Sequence, residues 1–175
     1  MGSTLIVDSI QGATAANSVD LSSVTNLKMP AGAVIQVIQT TGTTQTQVTT
    51  TGTWTDVIPT ATITPKFSTS KILVSHSAGG FGQSSTAGNS FGFRLLRAST
   101  TIASRARQAY QSVNNYYEPV FWQMEFLDSP STTAAITYKF QIYLEKAGNL
   151  RHSSEDADIS PSTSIAMTTL MEIAQ

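Results

Sequence analysis

Apolar and polar residues alternate with a period of two over much of this chain. Ile136, Tyr138, Phe140, Ile142 and Leu144 fall on one face, and Thr137, Lys139, Gln141 and Tyr143 on the other. Val120, Trp122, Met124 and Phe126 repeat the pattern, as do Ile165, Met167, Thr169, Met171 and Ile173. A period of two puts each such set on one buried face of a sheet. Turn signals such as Ser129-Pro130 and Gly148-Asn149 separate the apolar stretches. They divide the chain into strands over residues 33–40, 45–50, 53–58, 61–64, 71–78, 91–98, 101–104, 119–127, 134–145 and 164–173. About ten short strands, with no stretch of helical period three turns long, predict an all-β fold, a jelly-roll-like β-sandwich.

The first 30 residues follow a different pattern. Thr4 to Ile10 reads as one strand, Gly12 to Asn17 is small, and Val19, Leu21, Val24 and Leu27 are sparse apolar positions in a polar background. Met29-Pro30-Ala31-Gly32 is a break, because proline restricts its predecessor and glycine frees the turn. Residues 1–30 are therefore expected to form an extended attachment arm or collar, ordered against other chains, and residues 31–175 the sandwich head. Leu5, Ile6, Val7 and Ile10 are the arm's candidate contacts. Near the start of the head Val34, Ile35, Val37 and Ile38 make a strand apolar on both faces, and Ile72, Leu73 and Val74 do the same. A lone sandwich leaves one sheet face to water, so two-sided strands need a second layer. Val34, Ile35, Val37 and Ile38 are the candidate subunit interface.

Composition changes the picture in two ways. Ser and Thr number 22 and 26 of 175 residues, and charged residues are only 12%, about half the usual ~25%. The expected surface is neutral and hydroxyl-rich. Net charge is −1, too small for a field that draws the chain to nucleic acid or an anionic membrane. No apolar run exceeds three residues, against the ~20 of a membrane helix or the ~7–15 of a signal peptide. Cysteine is absent, which removes disulfides, thiolate metal sites and a cysteine nucleophile. Synthesis in a cytoplasm is the expectation, without membrane insertion or nucleic-acid binding.

Catalytic chemistry finds little support. His76 sits in the strand KILVSHSA and reads as a packed core residue; His152 lies in the polar stretch Arg151–Asp158 and reads as solvated. No H-x-H or H-E-x-x-H spacing joins them to a metal. Glu155, Asp156 and Asp158 lack the spacing of a calcium loop. Gly79, Gly80, Gly82, Gly88 and Gly92 suggest a long flexible loop; no lysine and no helix follow to meet a phosphate. No G-x-S-x-G elbow occurs. The reading is a non-enzyme with no cofactor and no metal. Arg94, Arg97, Arg105 and Arg107 crowd fourteen positions, either salt-bridged within the chain or facing an acidic partner. Tyr110, Asn114, Asn115, Tyr116 and Tyr117 form an aromatic and amide-rich stretch, suited to stacking on a host glycan or receptor, or folded on the body.

Several segments resemble one family. Leu5-Ile6-Val7-Asp8-Ser9-Ile10-Gln11 is similar to the opening strand of phage tail-fibre proteins, those of cyanobacterial and marine phages especially. The stretch from Met29-Pro30-Ala31-Gly32 to Gln39 resembles their linker and first head strand. Ile63-Thr64-Pro65, Ser70-Lys71-Ile72-Leu73-Val74, Phe93-Arg94-Leu95-Leu96-Arg97, Leu127-Asp128-Ser129-Pro130, Thr137-Tyr138-Lys139 and the end from Ser164-Ile165 to Met171-Glu172-Ile173 continue the likeness over nearly the whole chain. It implies a virion appendage whose head is similar to trimeric jelly rolls of the complement and tumour-necrosis type. It transfers no binding residues, and the long repetitive shaft of a typical fibre is missing.

Pattern and resemblance together predict a non-enzymatic virion protein: a short tail fibre or receptor-binding appendage, homotrimeric, joined to other virion proteins through residues 1–30. A capsid decoration or head-fibre protein is the alternative within that class, and a free carbohydrate-binding lectin the alternative outside it.

Overall fold

The computed structural model describes residues 30–112, 117–153 and 164–175. Their regular structure is entirely β: β1 (Val34–Gly42), β2 (Thr46–Val48), β3 (Trp54–Ile63), β4 (Lys71–Ala78), β5 (Gly80–Ser84), β6 (Asn89–Arg97), β7 (Thr100–Gln111), β8 (Tyr117–Pro119), β9 (Trp122–Asp128), β10 (Ile136–Leu144), β11 (Gly148–His152) and β12 (Ala166–Ile173). Three antiparallel four-stranded sheets result, ordered β1-β12-β4-β9, β3-β10-β6-β7 and β2-β11-β5-β8.

The third sheet prolongs the first. Along β4 and β5, partners on one side run from Ile173 opposite Lys71 to Met167 opposite Ser77, then from His152 opposite Gly80 to Gly148 opposite Ser84. On the other side they run from Asp128 opposite Ile72 to Tyr117 opposite Gln83. Hydrogen bonds cross the junction, where Ser153 N–H donates to Gly79 O (2.8 Å) and Val120 N–H to Gly80 O (2.9 Å). The molecule is thus two layers: one long sheet of four broken strands and one of four unbroken ones. The pairs nest, β6 with β7 inside β5 with β8, then β4 with β9, β3 with β10, β2 with β11, and β1 with β12. A long hairpin rolled up in this way is a jelly roll, as the alternation predicts.

The core lies between the layers. The expected inward set of β10, Ile136 to Leu144, is buried throughout, and Val120, Trp122 and Met124 join it, with Phe126 partly buried against it. Phe91, Phe93 and Leu95 of β6 complete the centre.

Four expectations are corrected. Residues 53–58 and 61–64 belong to one strand, β3; Pro59 is tolerated because β3 is an edge strand whose register with β10 shifts between Tyr138 and Phe140. The glycine-rich run is not a long loop. Gly80 and Gly82 lie in β5, where a Cβ at position 80 would strike the Arg151 backbone and Trp122, and one at 82 the Phe91 ring. His152 is not solvated but ends β11, fully buried. Most consequential, β12 faces the opposite way from its pattern. Ala166, Thr168, Leu170 and Glu172 point inward, while Ile165 and Met167 are 58% and 37% exposed and Met171 and Ile173 half-exposed. Polar inward positions are stable here because they are satisfied. Thr168 Oγ1 donates to Pro59 O (3.1 Å), and Glu172 accepts from Lys66 N–H (2.7 Å), Phe67 N–H (3.3 Å) and Gln36 Nε2 (2.5 Å). These bonds hold the Glu172 carboxyl below its usual range although burial alone would raise it.

Candidate interaction surface

The inversion of β12 leaves apolar side chains on the outside of the β1-β12-β4-β9 sheet. Val37 pairs with Met171, Met171 with Leu73, and Leu73 with Leu127, so one apolar row crosses all four strands. Val37 is 53% exposed and Leu127 47%. Val34, Ile173 and Lys71 form the next row toward the sheet's end. On the other side Gln39, Thr169, Ser75 and Glu125 make a polar row, tied by Gln39 Nε2 to Thr169 Oγ1 (3.2 Å) and by Ser75 Oγ to Glu125 Oε1 (3.5 Å). Ile165, Met167 and Phe121 add exposed apolar positions toward the junction. Among the described residues, four of the eight large apolar side chains most open to solvent, Val34, Val37, Leu127 and Met167, belong to the strands of this one sheet.

The second layer presents the opposite character. Outside β3, β10 and β6, Lys139 Nζ lies 2.9 Å from an Asp56 oxygen, Gln141 Nε2 donates to Asp56, Arg94 Nε donates to Gln141 (2.7 Å), and Thr62 and Thr137 share a hydrogen bond of 2.8 Å. The Arg94 guanidinium stacks over the Trp54 ring at 4.3 Å. This face satisfies itself; the first does not.

Of the candidate interface residues, Val34 and Val37 are exposed, Ile35 is half-buried, and Ile38 packs against the core. Leu73, on the second strand expected to be apolar on both faces, completes the surface together with Met171 and Leu127, which the sequence pattern does not assign to it. Their signal was present in the two-faced apolarity of β4 and β12, but which face was inward was not. Leu5, Ile6, Val7 and Ile10 lie outside the described residues, as do Asn114, Asn115, Tyr116, Glu155, Asp156 and Asp158. Tyr110 is 49% exposed with Arg107 5.4 Å from its ring; Tyr117 lies on β8. The arginine cluster is divided: Arg97 bridges Asp128 at 3.0 Å, Arg94 and Arg107 stack on rings, and Arg105 lines a shallow cleft with Phe121, Gln123, Met124 and Glu125.

The two histidines are brought together where the two half-sheets join. His76 Nε2 lies 2.9 Å from His152 Nε2, beneath Phe93, Phe140 and Trp122. Burial lowers both, His76 to about 3 with help from its neighbour's charge and His152 to about 4. Among the described residues no group of three His, Asp or Glu side chains is placed to hold a metal.

No family model and no curated protein matches the chain. Among solved structures it is similar to a chain of infectious bursal virus derived T=1 particles at 14% identity and a TM-score of 0.41, covering 90% of this chain and 40% of that one. The T13 IBDV viral particle gives the same values. The Gx strain of infectious bursal disease virus gives 14% identity and 0.41, covering 95% of this chain and 43% of that one. The chain spans about two fifths of the length of these neighbours.

Proposed function

We propose that this chain is a non-enzymatic structural protein of a phage virion, a short tail fibre or receptor-binding appendage that works as a homotrimer. The observation that carries assembly is the asymmetry of the two outer faces: one sheet is cross-linked by its own polar side chains, and the other leaves Val37, Met171, Leu73 and Leu127 in water. Contiguous exposed apolar surface marks an interaction site, and a closed ring covers it without open-ended growth. The virion assignment and the threefold symmetry come from the tail-fibre resemblance of the sequence. Host contact falls to the region between Tyr110 and Tyr117, away from the assembling face in role and composition.

Gold-labelled antibody on purified particles tests the location. Label confined to the tail supports the appendage; label spread over the shell makes the chain a capsid decoration instead; no label on particles removes the virion reading altogether.

A further inference from the structure

The apolar row on the outer face is bounded by polar side chains, and its shape bears on what covers it. Two sheets packed face to face need apolar area in two dimensions, with the facing sides interdigitating about 10 Å apart. Here the row Val37–Met171–Leu73–Leu127 is bounded on its junction side by the polar row Gln39–Thr169–Ser75–Glu125, already hydrogen-bonded within itself, and on the other side only Val34 and Ile173 extend it before Lys71. Four strands about 4.8 Å apart make the row roughly 14 Å long. That is the length of an extended segment of about five residues.

One segment of this chain outside the described residues has that form. Leu5-Ile6-Val7-Asp8-Ser9-Ile10 is extended in pattern, apolar on both faces, and too small to bury itself. Its position is favourable too. The chain reaches β1 through a turn in which Ala33 N–H donates to Pro30 O, and Gly32 N–H donates to Ala174 O beside the end of β12. Pro30 therefore sits at the Val34–Ile173–Lys71 end of the same sheet. Charge agrees as well: Lys71, half-buried on the outer face next to the row, has no ion-pair partner among the described residues, and the segment carries Asp8. The nineteen residues 11–29 reach roughly 65 Å when extended, several times what a return to the chain's own face requires.

Resting on the trimer reading above, we propose that residues 5–10 of one copy lie across the Val37–Met171–Leu73–Leu127 row of a neighbouring copy, with Asp8 facing Lys71. Arms exchanged in this way close the trimer, and the sheet faces themselves do not meet.

The native chain has no cysteine, so engineered thiols report cleanly. Two differently tagged full-length chains, one carrying Val7→Cys and the other Leu73→Cys, are co-expressed and mildly oxidised. The expected product is a disulfide-linked species containing both tags, at about twice the 18.6 kDa chain mass, and its yield falls at least tenfold when Asp8→Lys is added. A Leu73→Cys chain linking to another Leu73→Cys chain would mean face-to-face packing and overturn the proposal. So would a link formed only within a Val7→Cys/Leu73→Cys chain. Absence of any link in material that light scattering shows to be trimeric sinks the arm exchange alone; monomeric material sinks both it and the trimer.

Discussion

His76 and His152 meet with their Nε2 atoms 2.9 Å apart, and the bonds around them fix both tautomers. Thr168 commits its only hydroxyl proton to Pro59 O, so its oxygen accepts from His76 Nδ1–H at 2.9 Å. His76 Nε2 is then the acceptor, and His152 must donate from its own Nε2. That leaves His152 Nδ1 unprotonated, and it is buried without a partner. The pair is built to be neutral: adding a proton removes an acceptor and strands a charge among aromatic rings.

A pH dependence of stability follows. In the unfolded chain both histidines take up protons near 6.5; in the folded chain they do so only near 4 and 3. The unfolded state binds more protons between these limits, so the contribution is complete above pH 6.5 and lost as pH falls toward 4. Each proton contributes about 1.4 kcal/mol per pH unit. Denaturant titrations from pH 8 to 4 should show this slope, and His152→Gln should roughly halve it. An unchanged slope in the variant contradicts the pairing.

Glu172 acts in the same direction at lower pH. Its carboxyl is held below the ordinary value of 4.5, so its contribution is present above that value and lost as pH falls through the folded-state pKa. Glu172→Gln removes the charge from bonds donated by the Lys66 and Phe67 backbones. A loss of about 2–3 kcal/mol at neutral pH is expected, read from the denaturation midpoint.

Neighbouring glycines should respond differently. Gly80→Ala drives a Cβ into the Arg151 backbone and Trp122, whereas one at position 79 meets only Ser164 Oγ at 3.6 Å. Thermal melts should show a loss of about 1–3 kcal/mol or more for Gly80→Ala and less than about 0.5 kcal/mol for Gly79→Ala. Equal effects would mean β5 is not packed as described.

Val37→Asp and Leu127→Lys place charges on the exposed apolar row without entering the core. Both should weaken assembly while the far-UV spectrum stays that of the native chain. Thr62→Asp, on the other outer face, should leave assembly intact. Dissociation by Thr62→Asp, or none by the first two, would point to a different surface.

Much of this architecture was legible in the sequence where one side of a strand is decisively apolar. β10 is the clear case, since Ile136 to Leu144 oppose Thr, Lys, Gln and Tyr. β12 was not legible, because apolar residues at 165, 167, 171 and 173 imitate a core face. What places them outside is the set of partners of Thr168 and Glu172, which lie more than a hundred residues away at Pro59, Lys66 and Phe67. The glycine run misled for a related reason. Glycine signals a loop locally, but at 80 and 82 it makes room for Trp122, the Arg151 backbone and Phe91. His152 looked solvated beside acidic residues, and only the alignment of β11 with β5 brings it to His76. The exposed apolar face was legible in part: two-sided apolarity marks Val34 and Val37, and their neighbours on β12 and β9 required the register.

Assembly is the centre of this account, and the mass of the purified full-length chain in solution tests it most directly. Multi-angle light scattering at micromolar concentration should give about three times the 18.6 kDa chain mass. A mass equal to one chain would contradict it.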